Sequence, residues 1–475
     1  MLFAIGAAIL AIGIIVNVVS DLGGLLLYLA WFLVRPQETW IGLGGSLPME
    51  RVFAICLLVG TLLRYKVFNP RPIVLTAPMK AFGALVVVNY LTIVFSIWRS
   101  NSLDTADRFG KLFLFFLCAS IIVNTPKRFR IFLWTYILCL AWEAGSTVRN
   151  YYANPYFAQG IQRAEGLTET WGDPNAEAFN LVLVIPVMLA VRNANKKWKP
   201  TVIILGILAT ALVGIVLTGS RTGLFVLAAA LTMMTLRSNK RFIMLPTLFF
   251  LAFFAWILMP AQYQERFETI FRFAANPTGQ LNTSEGESAY GRIVGFRVAM
   301  MIFRDYPILG VGVGNFPDAW FTLPYSYQGQ KGWHQPHNLP GQVLSEQGLA
   351  GGIAFIAFVV IVLRTSGAAG RLLAGLRDPP PILGEVNRMV PVLITCMLLQ
   401  GFSSHSYYRY NWYLVCTLVG LIAQLAAQES SASEAAASPL AETQLGGVGS
   451  RRGAQPSATK LGNRVETGPS ARKAV

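Results

Sequence analysis

The feature that most constrains this chain is a series of long apolar segments separated by short connections. The thirteen segments lie near residues 2–19, 22–34, 52–63, 81–98, 109–124, 129–147, 176–191, 200–218, 222–236, 242–260, 345–363, 389–404 and 410–427. In lipid, backbone groups are satisfied only in helices and closed barrels. Most of these runs are too long and too uniformly apolar for barrel strands, which alternate over about 10 residues. The sequence therefore predicts an all-α polytopic membrane protein.

Basic residues are concentrated in five connections that alternate along the chain. They are Arg64, Lys66, Arg71 and Lys80; Lys127, Arg128 and Arg130; Arg192, Lys196, Lys197 and Lys199; Arg237, Lys240 and Arg241; and Arg364, Arg371, Arg377 and Arg388. The same connections hold only two acids, Asp378 and Glu385. The positive-inside rule places all five in the cytoplasm. The formal net charge of +16 is then a topology signal, so no nucleic-acid partner is predicted.

The remaining connections fall on the outer side, where 148–175 and 261–344 are the longest. Within the second, Gln264–Phe273 and Ser288–Phe303 have the spacing of interfacial helices. Since residues 2–34 are too few for two full-thickness helices, we predict about twelve crossings, with 22–34 or its neighbour re-entrant or broken. The transmembrane domain then covers 1–427. The Ser-, Ala-, Gly- and Thr-rich segment 428–475 is predicted to be a disordered cytoplasmic tail.

Two of the three histidines, His334 and His337, stand at the end of the large outer loop. Asn338 can cap the following helix, with Pro340 in its first turn. The positive end of that helix would lower the pKa of His337 and favour a neutral base, although hydrogen bonding within the loop is an alternative role. No third metal ligand lies nearby, and HExxH, CxxC and Asp-x-Asp patterns are absent from the sequence. The sequence therefore predicts no metal and no cofactor.

Arginines on the outer side are candidates for binding an anion. Arg221 lies between two apolar segments with almost no loop around it. An unpaired arginine near hydrocarbon costs about 2.5–3.5 kcal/mol, so it requires a partner or a ligand. Its planar guanidinium matches phosphate oxygens, while pairing with an acid is the alternative.

Arg163 and Arg292 extend this set. Arg163 precedes Asp173 and Pro174, which predict a helix start that suits anions, although a salt bridge to Glu165 is equally compatible with the sequence. Arg292 precedes the glycine run 307–316. That run lacks the spacing of a dinucleotide loop, and a tight turn against a lipid headgroup is favoured instead.

Three motifs follow one another in the order found in a known family. Ser220-Arg221-Thr222-Gly223, then Gly291-Arg292 with Pro307–Phe316, then His337-Asn338 through Glu346–Gly351 resemble the motifs of bacterial O-antigen ligases and the related O-antigen polymerases. The resemblance covers about residues 80–427. It implies a GT-C-type fold and glycan transfer from undecaprenyl diphosphate at the periplasmic face of the bacterial inner membrane.

On this resemblance, Arg221 and Arg292 bind the donor diphosphate and His337 activates the acceptor hydroxyl, with Arg163 and Asn338 as further substrate-binding candidates. The implied reaction is metal-independent and inverting, and lipid A–core oligosaccharide is the favoured acceptor. An O-antigen polymerase or a protein O-glycosylation ligase would share the motifs. A secondary transporter, with Glu143 in a charge relay, is the non-enzymatic alternative. The candidate groups crowd the outer boundary instead, which favours chemistry on a lipid-linked donor among membrane lipids.

Overall fold

The fold is described from a computed structural model, which covers residues 2–36, 49–68, 75–158, 161–166, 172–258, 261, 263–265, 268, 284–326, 332 and 334–437. Helices make up 82% of these residues. In chain order they are α1 (Leu2–Val19), α2 (Asp21–Val34), α3 (Met49–Leu62), α4 (Ala77–Thr92), α5 (Arg99–Ile122), α6 (Pro126–Ala153), α7 (Pro174–Ala194), α8 (Trp198–Leu217), α9 (Arg221–Leu236), α10 (Arg241–Leu258), α11 (Ser284–Asp305), α12 (Phe316–Thr322), α13 (Leu339–Gly375), α14 (Pro381–Gly401) and α15 (Tyr410–Ala437). A short hairpin, β1 (Tyr156–Ala158) and β2 (Ile161–Arg163), lies between α6 and α7.

Seven helices of the described chain are long and apolar enough to cross a membrane. They cover Ala77–Phe95, Pro126–Ala153, Pro174–Ala194, Trp198–Leu217, Leu339–Gly375, Pro381–Gly401 and Tyr410–Glu434. Four further apolar helices are shorter, and they include α2, which is continuous over its 14 residues. The all-α, multi-pass prediction is confirmed. The count of twelve crossings and the GT-C type stay predictions.

The basic connections contact one another at one end of the helix bundle. Arg128 Nη1 donates to Asp21 Oδ2 at 3.0 Å, and Arg64 approaches the same carboxylate at 3.9 Å. Arg237 Nη1 donates to the carbonyl oxygen of Arg388 at 3.3 Å. Because consecutive spanning helices alternate in direction, we group these connections as the basic face. The turn between α1 and α2 lies there too, since Asp21 follows the cap residue of α2.

The glycine run occupies a break in the long helix α13. Gly348 has φ 62° and ψ −156°, a backbone region that only glycine adopts readily. The main chain of the run hydrogen-bonds across this break: Leu349 N donates to Pro307 O at 2.8 Å, and Val311 N donates to Ser345 O at 2.9 Å. The predicted tight turn is present, and its backbone groups bind the protein itself, whereas contact with a lipid headgroup stays a prediction.

We expect Gly348→Ala to destabilise the protein by roughly 3 kcal/mol, since strain and a clash add together. A Cβ at this position would lie 2.4 Å from the carbonyl carbon and oxygen of Ile308, which are backbone atoms and cannot rotate away. Gly375→Ala, at the end of the same helix, is the control, because no atom lies within 4 Å of its added Cβ. Thermal unfolding of the purified variants measures the difference. Equal unfolding temperatures for the two variants would show that the glycine run 307–316 can move away from the added Cβ without loss of stability.

The segment between α10 and α13 has its own small core. Val294, Val298 and Ile302 of α11 pack with Phe316 and Trp320 of α12, and all five side chains are buried. Ser288–Phe303 lies within α11, so that helix prediction is confirmed, whereas Gln264–Phe273 falls largely outside the described residues. Helix α11 also contacts α13.

The chain divides into two compact units, Met1–Glu429 and Ser430–Val475. Helix α15 continues past the predicted boundary at residue 427 and ends at Ala437. The remainder of the predicted disordered tail, residues 438–475, lies outside the described residues.

Candidate active site

The starts of helices α7 and α9 lie side by side. Asp173 caps α7 by accepting a hydrogen bond from Asn175 N at 3.0 Å, as the sequence predicts. Ser220 caps α9 by accepting from Gly223 N at 3.1 Å, and its hydroxyl donates to Asn175 Oδ1 at 2.9 Å. A Cβ on Gly223 would lie 2.6 Å from that of Ala178, so the glycine allows the two helices to approach closely. The N-termini of α7 and α9 therefore border the same space at this end of the helices, which is the centre of the candidate site.

Arg163 reaches this space from the hairpin. Its side chain is buried, with Nε donating to Thr218 O at 2.8 Å and Nη2 donating to Asn175 Oδ1 at 3.1 Å. These hydrogen bonds go to neutral oxygens, so the salt bridge to Glu165 considered from the sequence is not what holds the side chain. Burial is the main cause that lowers the pKa of Arg163, and the negative charge of Asp173 opposes it.

Arg292 is brought in by the packing of α11 on the histidine loop. A Cβ on Gly295, one turn after Arg292, would lie 2.8 Å from Pro336 O, so the helix contacts the backbone just before His337. Burial lowers the pKa of Arg292, the charges of Arg221 and Arg163 lower it further, and Asp173 raises it. The structure thus brings together the three arginines singled out from the sequence.

His337 lies in a turn that its neighbour Asn338 stabilises. The backbone of His337 has φ 53°, in the left-handed region, which is uncommon for a residue with a side chain. Asn338 caps α13 by accepting from Gly341 N at 2.6 Å and donates from Nδ2 to Pro336 O at 2.7 Å. The structure thus gives Asn338 a positioning role in the turn, while direct contact with a substrate stays a prediction.

The electrostatic surroundings of His337 favour its neutral form. Burial lowers its pKa below the ordinary value of 6.5, the charges of Arg292 and His334 lower it further, and Asp173 opposes them. Since the pKa moves downward, the imidazole is unprotonated at neutral pH and can accept a proton. His334 itself is exposed, with its ring 5.5 Å from that of Trp320.

Two further groups of the site, His405 and Arg409, were not selected from the sequence. The ring of His405 lies 5.7 Å from the ring of His337, and burial lowers the pKa of His405 to about 3. Arg409 has a pKa lowered by burial, while Asp173 raises it. Ser403 Oγ donates to Thr222 Oγ1 at 3.2 Å, which ties this connection to the start of α9. The sequence signal that could have identified these two residues is the presence of a histidine and an arginine in one short outer connection, 405–409.

The site therefore brings four arginines, Arg163, Arg221, Arg292 and Arg409, together with Asp173. Asp173 acts electrostatically on Arg163, Arg292, Arg409 and His337. Glu165 also acts on Arg163, and the cluster of guanidinium groups suits an anionic ligand. We call the end of the bundle that carries these residues the site face. Among the described residues, no group of three or more His, Cys, Asp and Glu side chains is placed to hold a metal ion.

Comparison with known proteins agrees with the motifs. Residues 206–356 match a family model described as O-antigen ligase, and this match supports that family. The matched segment contains Arg221, Arg292 and His337, whereas Arg163 and Arg409 lie outside it. The family implies a glycosyltransferase-like enzyme of the ligase or polymerase type. No curated protein matches the chain.

Proposed function

We propose that this chain, whose central segment matches the O-antigen ligase model, transfers O-antigen polysaccharide from undecaprenyl diphosphate to a hydroxyl of lipid A–core oligosaccharide. The observation that carries the proposal is the convergence of Arg163, Arg221 and Arg292 with His337 at one end of the bundle. That end lies opposite the basic face. Under the positive-inside rule the basic face is cytoplasmic, so the arginines and His337 would face the periplasm of the bacterial cell.

The arginines are suited to hold the donor diphosphate. Burial lowers the pKa values of Arg163 and Arg292, so each cation lacks part of the stabilisation that water would give. A diphosphate would restore it through charge-assisted, bidentate hydrogen bonds. The same bonds would stabilise the charge that develops on the diphosphate as it leaves. In this mechanism the arginine charges serve the role that a divalent ion has in many glycosyltransferases.

His337 is suited to act as the general base. Its neutral imidazole takes the proton of the acceptor hydroxyl as the hydroxyl oxygen attacks the anomeric carbon of the donor sugar. The new carbon–oxygen bond forms opposite the bond to the diphosphate, which breaks with its electron pair and inverts the anomeric centre. The products are the extended acceptor, undecaprenyl diphosphate and a protonated His337 that returns its proton to water.

The purified protein, supplied with undecaprenyl-diphosphate-linked glycan, tests this function. We expect glycan on lipid A–core oligosaccharide, with turnover unchanged in EDTA. Lengthened carrier-linked glycan would identify a polymerase instead, and glycan on a Ser- or Thr-containing peptide would identify a protein ligase. Loss of turnover in EDTA that a divalent ion restores would refute the metal-independent mechanism.

The pH profile of transfer reports the charges around His337. Because the pKa of His337 is lowered, activity should persist below pH 6.5 and fall only when the imidazole is protonated. Arg292→Gln removes a positive charge, so the acid midpoint of kcat/KM should move to higher pH. Asp173→Asn removes a negative charge while keeping a helix cap, so the midpoint should move to lower pH. If Arg292→Gln and Asp173→Asn shifted the acid midpoint in the same direction, or if neither shifted it, His337 would be excluded as the titrating base.

Cysteine labelling tests the orientation of the site. An impermeant thiol reagent, applied to cells whose outer membrane has been opened, should label Thr322→Cys and leave Lys196→Cys unlabelled. Both positions are exposed, and the first is in α12 near the site face. The parent chain is the control, because four of its five cysteines are buried and Cys56 lies within an apolar helix. The reverse labelling pattern would place the site in the cytoplasm.

A further inference from the structure

A second ligand site is suggested by a cavity between α2, α3 and α5. Its volume is about 460 Å³, which lies in the range of small-molecule sites. The floor is apolar, and it is formed by Tyr28, Leu57, Leu58, Phe115 and Cys118. None of these residues belongs to the arginine site, so the cavity is a separate feature of the molecule.

Charged residues are gathered at one end of this cavity. Glu50 and Arg51 stand in the first turn of α3, and Arg108 and Lys111 line the facing side of α5. Cys118 on the floor lies about 10 Å further along α5 than Lys111, at 1.5 Å rise per residue. The cavity thus changes from charged to apolar along the helix direction, as a lipid molecule does.

The charged end points toward the site face. Near the start of α5, Ser102 Oγ donates to Val313 O of the glycine run at 2.9 Å, and Gly314 N of that run donates to the hydroxyl of Tyr408, next to Arg409. The opposite end of α3 leads to Arg64, whose side chain approaches Asp21 at the basic face. A lipid held here would therefore have its headgroup level with the active site and its chain directed to the bilayer centre.

Three bases and one acid line this end of the cavity, and two further acids pair with the bases from outside it. Arg108 forms an ion pair with Asp104 at 3.4 Å, Lys111 pairs with Asp107, and Glu50 stands beside Arg51. The two pairs on α5 are exposed and therefore weak, so their cations remain able to contact a phosphate. A zwitterionic headgroup complements a lining with charges of both signs better than a diphosphate does, because its phosphate can meet the bases and its ammonium can meet Glu50.

We propose that this cavity binds one zwitterionic glycerophospholipid, with phosphate on Arg51, Arg108 and Lys111 and the ammonium on Glu50. One acyl chain fills the apolar floor, where it replaces contacts that an empty cavity would lose. The lipid joins α2 and α3 to α5. It is neither donor nor acceptor, so the proposal does not rest on the transferase function.

Native mass spectrometry of the delipidated full-length protein tests this site, with phosphatidylethanolamine, phosphatidylglycerol or undecaprenyl phosphate added in separate samples. We expect one phosphatidylethanolamine to be retained, at least about tenfold more than phosphatidylglycerol, and to raise the unfolding temperature. Ala54→Phe, which places a ring in the cavity, should abolish retention. Val59→Phe is the matched control, because Val59 is exposed on the same helix and does not line the cavity.

The headgroup is tested independently by the double variant Glu50→Gln with Arg51→Gln, which leaves the apolar floor of the cavity unchanged. It should lose the preference for phosphatidylethanolamine even if Ala54→Phe proves too unstable to purify. Retention of no lipid by the wild type, or equal retention by wild type and Ala54→Phe, would overturn the proposal. Preferential retention of undecaprenyl phosphate would also overturn it, since the cavity would then be a store for the carrier lipid.

Discussion

His337→Ala should abolish glycan transfer, with a fall of about 10²–10⁴ in kcat, the contribution typical of a general base. The residue is held in a left-handed turn between Pro336 and the cap of α13, and its imidazole is neutral because burial and Arg292 lower its pKa. His405 is a half-buried neighbour whose pKa burial lowers to about 3, so it is a poor proton acceptor at neutral pH. Single-turnover transfer with saturating donor measures the chemical step directly.

His334→Ala is the control for this experiment. His334 stands in the same loop but is exposed, and its ring contacts Trp320 rather than the ring of His405. We expect it to retain most of the activity, with only a small change in the pH profile through its charge. Full activity in His337→Ala would leave the arginines as a lipid-binding site without an identified base.

Arg221→Lys and Arg292→Lys should each lower kcat/KM for the donor by about 10²-fold, the effect of losing one well-placed donor to developing charge. Lysine keeps the charge but offers a point cation in place of the planar guanidinium. The protein should still fold, since the N-terminus of α9 is capped by Ser220 and α11 keeps its packing through Gly295. Initial rates at varied donor and fixed acceptor concentration separate donor use from acceptor use.

Arg297→Lys is the matched control for the second of these variants. Arg297 lies on the same helix as Arg292 and is exposed. Its replacement should leave the donor kcat/KM unchanged. If both site variants transferred glycan at the wild-type rate, the guanidinium groups would serve only to hold the loops, as in the salt-bridge alternative weighed for Arg163.

Local chemistry explains which parts of the molecule could be predicted from the sequence. The starts of α7 and α13 follow from Asp173 and Asn338, because a helix cap depends on residues within one turn. The apolar runs likewise predict helices without knowledge of their neighbours. The alternation of these helices predicts that three arginines and His337 lie on the same side of the membrane. The structure brings these four residues together.

Contacts between distant segments explain what could not be predicted. The break of α13 at Gly348 is stabilised by the main chain of residues 307–312, and no short sequence window contains both. The positions of His405 and Arg409 depend in the same way on the packing of α14 and α15 around the starts of other helices. A connection that short resembles an ordinary turn until its neighbours are known.

The break at Gly348 also has a consequence for how the chain enters the membrane during synthesis. The amide groups of Leu349 and Ala350 find their acceptors in Pro307 and Ile308, which leave the ribosome before α13 does. A half-inserted α13 would expose these amides to hydrocarbon, where each unsatisfied group costs several kcal/mol. We therefore expect the helix to complete its insertion after the preceding segment has been translocated and folded. On this expectation the candidate site forms from the N-terminal side, because residues 307–312 are in place before the helix that binds to them.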